Sequence, residues 1–252
     1  GRAPKQSANV RALARFAANS GCELARLGFA ARVDFDRLLE RTPFAAPFGQ
    51  SPFAFQRGNQ FEERLRKDGH QPILELLRDH LHHEVAGAQV ANLRDGRPTA
   101  AKFRARAERT QQLIAAIVRG DAGAPNLIDG AVLSRTIGGV ESFFEADAVA
   151  ARFDEPIHAG EIKSFPTVDG QADPDKVGAA LAQVAIYILL LQELVERQGG
   201  NPQRVSTEAL LITPKNTGLQ PTLTVKQVGR EIDRARRLLD EVPSADELIL
   251  EL

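Results

Sequence analysis

Five residues with the chemistry of a hydrolytic site lie between positions 143 and 187: Asp147, Glu161, Lys163, Gln183 and Tyr187. Asp147 falls in a strand-like run, FFEADAVA, and Glu161 and Lys163 fall in the next one, IHAGEIKS. Residues two apart in a strand project from the same face, so Glu161 and Lys163 point together. Gln183 and Tyr187 sit four apart in a long apolar helical run, a spacing that also gives a shared face. If the strands pair and the helix packs on them, all five side chains meet in one cleft. Carboxylates with a lysine beside them suit a divalent cation and an activated water. The competing reading of the same residues is a structural ion-pair network, which is costly to bury without a metal or substrate.

The elements that must position these groups can be read from periodicity. Residues 9–29 read as one or two helices broken near residues 19–21, with Arg11, Arg15, Arg26 and Arg32 along the arm as a solvated or DNA-tracking face. Residues 42–56 are rich in Pro, Phe and Gly and read as an irregular crossing segment. Its Phe44, Phe48, Phe53 and Phe55 either plug the core or stack on bases. Gly58 starts a helix that ends at Gly69, with Phe61 and Leu65 on its buried side and Glu62 next to them. Residues 71–84 read as another helix or a helix–strand element. Its His80 and His83 have the spacing of a helical metal pair, with His82 and Glu84 adjacent, but no second ligand motif accompanies them. Residues 98–120 read as a helix, bounded by Pro98 and Gly120, whose early turns carry Lys102, Arg104, Arg106 and Arg109.

After Gly123 the period changes to that of strands. Residues 126–134 and 140–152 read as strands joined at Gly138–Gly139, which suits a hairpin turn, and 157–164 as a third. A helix over 173–198, strands over 208–213 and 219–225, and a helix over 225–239 complete the chain. This order of helices, three consecutive strands, helix, strands and helix is that of an α/β fold with a mixed sheet.

Composition sets the outer limits. The chain has 252 residues, 43% hydrophobic and 26% charged, ordinary values for a globular protein. Its single cysteine, Cys22, excludes an internal disulfide and any all-cysteine zinc or iron–sulfur cluster. No charged-then-apolar leader pattern opens the sequence, and a cytoplasmic location is the expectation. The apolar run 177–195 approaches membrane length, but Gln183, Gln192 and Glu193 argue for a buried helix and no membrane association. The net charge of −1 hides an asymmetry: residues 1–120 hold 20 Lys+Arg against 12 Asp+Glu, and residues 121–252 hold 12 against 21. A basic half beside an acidic half suits a phosphodiester held near a metal.

The pattern Gly58-x-x-x-Glu62, Asp147, Glu161-Ile-Lys163 and Gln183-x-x-x-Tyr187 resembles the RecB-type branch of the PD-(D/E)XK nuclease superfamily, including its CRISPR-adaptation exonucleases. The stretch APNLIDGAVLSRTIGGVESFFEADAVA is similar to that family's strand–turn–strand leading into the metal-binding Asp. The resemblance implies a restriction-endonuclease-like core with a mixed central β-sheet flanked by helices. Residues 57–240 would form that core, with a helical part 57–123 and a sheet part 124–240. An N-terminal arm and connecting segment over 1–56 and a tail over 241–252 would flank it. Asp147, Glu161 and the backbone carbonyl of Ile162 would bind Mg²⁺ or Mn²⁺, and Glu62 would assist the metal directly or through water. Lys163 would orient or deprotonate the attacking water or stabilise the transition state. Gln183 and Tyr187 would position the strand or Lys163. Lys102, Arg104, Arg106 and Arg109 would contact DNA, single- or double-stranded. A helicase or another repair or defence protein is the implied kind of protein partner.

The sequence departs from the pattern in three ways. It lacks the cysteines of iron–sulfur members, has Glu62 where many members have His, and has Glu145-Ala146 before Asp147 where the family often has Gly. Glu145 shares a strand face with Asp147 and could add a ligand or a salt bridge; Asp154-Glu155 is a rival acidic pair that reads as a turn. The functional expectation is a metal-dependent DNA nuclease, exonuclease-like, in repair, recombination or phage defence. The alternative is a catalytically inactive nucleic-acid-binding or scaffold domain of the same fold.

Overall fold

The computed structural model describes residues 13, 22–34, 52–82, 87–94, 99–152, 155–216, 218–242, 244 and 247. The chain divides into two compact units. One comprises Gly1–Gly49, Ser134–Phe144 and Arg236–Leu252, and the other Gln50–Leu133 and Glu145–Ala235. In the first, helix α1 (Glu23–Ala30) is followed by Arg32, whose buried guanidinium donates to the Ile137 carbonyl at 3.1 Å and to Ser142 Oγ at 3.4 Å. Arg32 therefore presents no face for DNA, while Arg11 and Arg15 and the side chain of Arg26 lie outside the described residues. Phe44 and Phe48 lie outside them as well.

The second unit contains α2 (Pro52–Leu65), α3 (Lys67–Leu81), β1 (Val90–Asn92), α4 (Ala100–Arg119), β4 (Ile157–Ile162), α5 (Pro174–Arg197), β5 (Val205–Pro214) and β6 (Pro221–Gln227). Strands β2 (Leu127–Ile137) and β3 (Val140–Ala150) run through both units, as does α6 (Gly229–Asp240). The hairpin turn expected at Gly138–Gly139 is present, with φ of 53° and 73°, values that glycine adopts freely and that match the twist of a hairpin. All six strands form one mixed sheet in sequence order, β1-β2-β3-β4-β5-β6. The β1–β2 and β4–β5 pairs are parallel, and β3–β4 and β5–β6 antiparallel.

Each parallel pair needs a crossover, and a right-handed one puts both crossover helices, α4 and α5, on the same face. The two helices touch each other, and α5 packs on β4 and β5. The opposite face is covered by α2 and α3. There Phe61, Leu65, Ile73, Leu74 and Leu77 bury against Leu127, Ala148, Ala150, Ile162, Leu210, Ile212 and Leu223. Because side chains alternate along a strand, the residues next to Ala148 and Ile162 face the α5 side instead. Asp147 and Glu161 are those residues.

Local chemistry explains the helix limits. Thr99 accepts from the Lys102 amide to cap α4, and Gly120 ends it in a left-handed conformation. Asp173 caps α5 by accepting from the amides of Asp175 and Lys176, with Pro174 at the first position. By length and composition α5 could cross a membrane. Its buried residues instead pack on the sheet and on α4, as in a core helix.

Gly58 does not start a helix. It lies in the middle of α2, which ends at Leu65 rather than at Gly69. The break that follows falls at Asp68, Gly69 and His70, all at positive φ. A Cβ added to Gly58 would meet only Ser164 Oγ at 3.6 Å, an ordinary contact. Gly58→Ala should therefore stabilise the protein by about 0.5–1 kcal/mol through helix propensity. An urea midpoint that falls in the variant would show that this position needs a glycine.

Candidate active site

The site begins with a register. Ala148 pairs with Gly160, and one further step along the antiparallel ladder places Asp147 opposite Glu161. Like charges directly opposite each other on neighbouring strands repel, so the pairing needs compensation. Asp147 Oδ2 accepts the Ile162 N–H at 2.9 Å, which fixes the carboxylate against β4. Glu161 Oε1 accepts from Lys163 Nζ at 2.5 Å, and Lys163 Nζ also donates to Gln183 Oε1 at 2.8 Å. The Tyr187 phenol lies beside Glu161 and favours its charged form. The five residues singled out by spacing therefore do meet, on β3, at the end of β4 and on α5.

Glu161 is the least comfortable group in the set. All of β4 is buried, and Glu161 Oε2 is a buried carboxylate oxygen with no hydrogen-bond partner among the described residues. Burial first, and then the charge of Asp147, push its pKa from the ordinary 4.5 up to about 8, against the opposing pull of Lys163. Burial and the charges of Glu161, Asp147 and Glu145 drive the Tyr187 hydroxyl well above its ordinary range, so it remains a donor.

A second cluster adjoins this one, and none of its four members, Asp129, Arg66, His70 and Arg94, was singled out from the sequence. Asp129 on β2 is almost fully buried and accepts three bonds: from Arg66 Nε at 2.8 Å, His70 Nε2 at 2.8 Å and Arg94 Nε at 2.7 Å. Burial alone would raise its pKa, but the donors hold it well below the carboxylate range. Arg94 extends to Asp147 Oδ1 at 2.5 Å through Nη2 and to Glu145 through Nη1. Burial would lower the pKa of Arg94, yet Asp147, Glu145 and Asp129 together raise it.

Gly130 makes this crossing of arginines feasible. At φ 72°, it is where a Cβ would come within 2.6 Å of Arg94 Cγ and 2.7 Å of Arg106 Nη2. Asp129 could have been found in the sequence, because an Asp inside the apolar run Leu-Ile-Asp-Gly-Ala-Val-Leu must be paired if the run is a strand. Residues 85–97 carry no periodic signal, and nothing in them points to Arg94 or to the three-residue edge strand β1.

Other expected site residues fall elsewhere. Glu62 stands apart from the Asp147–Glu161 pair; its side chain is 42% exposed and accepts from Arg66 Nη1 at 3.0 Å. Arg106 turns inward, donating to Glu145 Oε2 at 3.0 Å and to the Gly130 carbonyl at 2.6 Å. It is thus part of the site's own charge balance rather than an open DNA contact. Arg109 is exposed and bonds Gln112, and Arg104 is also exposed; Lys102 is half-buried. Glu145 is the salt-bridging residue that its position beside Asp147 allowed. His80 donates from Nδ1 to the Leu76 carbonyl on an exposed surface, His82 ends α3, and His83, Glu84 and Asp154 lie outside the described residues.

Among the described residues no three His, Cys, Asp or Glu side chains converge as a ready-made metal cluster. The donor set that a hard cation prefers is nonetheless partly assembled. Asp147 and Glu161 face each other, and Glu161 Oε2, without a hydrogen-bond partner among the described residues, lies buried beside a repelling charge. These residues fit a divalent ion.

No protein-family model and no curated protein matches the chain. Among solved structures, a crystal structure of SSO0001 aligns with 67% of this chain and 84% of its own at 12% identity and a TM-score of 0.27. A superposition that loose says nothing of fold or chemistry.

Two outcomes follow from the charge balance. Asp129→Ala leaves two arginines without their buried partner and should cost about 3 kcal/mol of unfolding free energy. A loss below about 1 kcal/mol in denaturant titration would contradict the hub role. For Glu161, the folded pKa lies above the unfolded one. Its contribution is therefore fully present below about pH 4.5 and is lost as pH rises through about 8. Without divalent cation, Glu161→Gln should gain stability relative to the parent across that window. Parallel stability–pH curves for the two proteins would contradict the burial of a strained carboxylate.

Proposed function

We propose that the chain is a metal-dependent deoxyribonuclease of the RecB-type PD-(D/E)XK class, hydrolysing phosphodiester bonds. The observation that carries this reading is the Asp147–Glu161 pair opposed across β3 and β4, with Lys163 bonded to both Glu161 and Gln183. The helix–three strands–helix–strand order supports a restriction-endonuclease-like core within the six-stranded sheet. Asp147, Glu161 and the backbone carbonyl of Ile162 would hold Mg²⁺ or Mn²⁺. Once bound, such an ion supplies Lewis acidity at the phosphoryl group and lowers the pKa of a water.

The protein's own groups then have separate duties. Lys163, held between Glu161 and Gln183, orients the water or stabilises charge on the phosphate. Gln183 fixes Lys163, and Tyr187 supports the ionised form of Glu161. Glu62 acts at a distance through Arg66. The DNA contacts fall to exposed groups: Arg104 and Arg109 on α4, and Phe53 and Phe55 at the start of α2, which are 75% and 63% exposed and free to stack on bases. The setting is cytoplasmic repair, recombination or phage defence, with a helicase or another repair or defence protein as the kind of partner.

A second reading is favoured by one observation. Arg94 already neutralises Asp147, Glu145 and Asp129, as it would in a domain that binds nucleic acid without cleaving it.

The two readings part in one assay. End-labelled single- and double-stranded DNA should be degraded with Mg²⁺ or Mn²⁺ and left intact with a chelator. Glu161→Gln and Lys163→Ala should each lose about a hundredfold or more. Glu62→Ala should lose about tenfold or less, since its link passes through Arg66. Binding of DNA without metal-dependent cleavage selects the second reading, and cleavage that survives Glu161→Gln contradicts the first.

A further inference from the structure

We propose that Arg94 is an exchangeable counter-ion: its guanidinium takes the place of a divalent cation on Asp147, and the cation must displace it to bind. This inference rests on the metal-site reading above and concerns how that site is loaded. The two oxygens of Asp147 have separate duties. Oδ2 is committed to the Ile162 backbone amide at 2.9 Å, whereas Oδ1 is held, among the described residues, by Arg94 Nη2 at 2.5 Å. A cation that uses Asp147 through its available oxygen meets the arginine there, and two positive groups on one oxygen repel.

The three attachments of Arg94 are unequal in a way that allows exchange. Nε holds Asp129, whose side chain is 1% exposed and which Arg66 and His70 also fix. Nη1 and Nη2 hold Glu145 and Asp147, whose side chains are 23% and 20% exposed. The inner contact can thus persist as an anchor while the outer two let go. Glu145 is not abandoned when they do, because Arg106 Nη1 already donates to its other oxygen at 3.0 Å. Glycine at position 130 lets the Arg94 stem lie where it does, since a Cβ there would come within 2.6 Å of its Cγ. Without the cation, the same contacts keep the paired carboxylates from destabilising the sheet.

The test is Mn²⁺ binding, read by the loss of the free-ion electron paramagnetic resonance signal and by calorimetry, with folding checked by circular dichroism. The proteins are the full chain and its Arg94→Ala, Arg94→Lys and Glu161→Gln variants. Arg94→Ala should bind Mn²⁺ about three- to tenfold more tightly than the parent, because a competing charge is gone. Arg94→Lys should shift in the same direction by less, since one ammonium cannot bridge three carboxylates, and it carries the test should the alanine variant not fold. Mn²⁺ should also raise the melting temperature of the Arg94 variants by more than it raises that of the parent. If the Arg94 variants bind Mn²⁺ no better than the parent while Glu161→Gln loses binding, the exchange is wrong and the metal site stands. If neither the parent nor the Arg94 variants bind Mn²⁺, or if Glu161→Gln binds it as well as the parent, the metal site itself is wrong, and the exchange falls with it.

Discussion

Two carboxylates that face each other across neighbouring buried strands are the constraint on which the rest of this structure depends. Glu161 is buried and faces the charge of Asp147, so its ionised form needs help from the protein. Each surrounding element brings one piece of compensation. The backbone of β4 donates to Asp147, and the chain just past β4 supplies Lys163. Helix α5 supplies Gln183 and Tyr187, and the segment after β1 supplies Arg94. The help falls short at Glu161 Oε2, which has no partner among the described residues. An unsatisfied carboxylate oxygen in a protein interior is a standing cost, and retaining it makes sense where a ligand completes it.

The second layer of the network has the opposite character. Asp129 is fully satisfied by Arg66, His70 and Arg94, and its acidity is held down rather than raised. Its role is to hold the cations still. His70 reaches it from a left-handed backbone position just after the end of α2, a conformation unusual for a residue with a side chain and tolerated only where the surroundings enforce it. Gly130, next to Asp129, keeps open the space in which Arg94 and Arg106 converge. The contrast between a relaxed hub at Asp129 and a strained pair at Asp147 and Glu161 separates positioning from chemistry.

Much of this arrangement was legible in the sequence because it obeys local periodicity. The alternation that puts Glu161 and Lys163 on one side, and the helical spacing of Gln183 and Tyr187, depend on neighbours within a few residues. The helix from Pro174 to Arg197 and the Gly138–Gly139 hairpin were readable for the same reason, through a capping Asp, an N-terminal Pro and paired glycines. What stayed hidden depends on tertiary register. Strand β1 has three residues, too few to show a period, so Arg94 at its end carried no signal. Glu62 stood next to the buried side of its helix in the sequence, but Arg66, four residues on, claims it at the surface. Arg106 belonged to a basic run, and only the packing of α4 beside Gly130 shows that it faces the protein's own Glu145.

The central claim is that the opposed pair is a cation site. Anomalous diffraction from crystals soaked in Mn²⁺ tests it most directly, because it locates the ion without reference to activity. A single strong peak between the carboxylates of Asp147 and Glu161 is the result the account predicts. A map with no peak between them at millimolar Mn²⁺, or with its peak at another group of carboxylates, would contradict it.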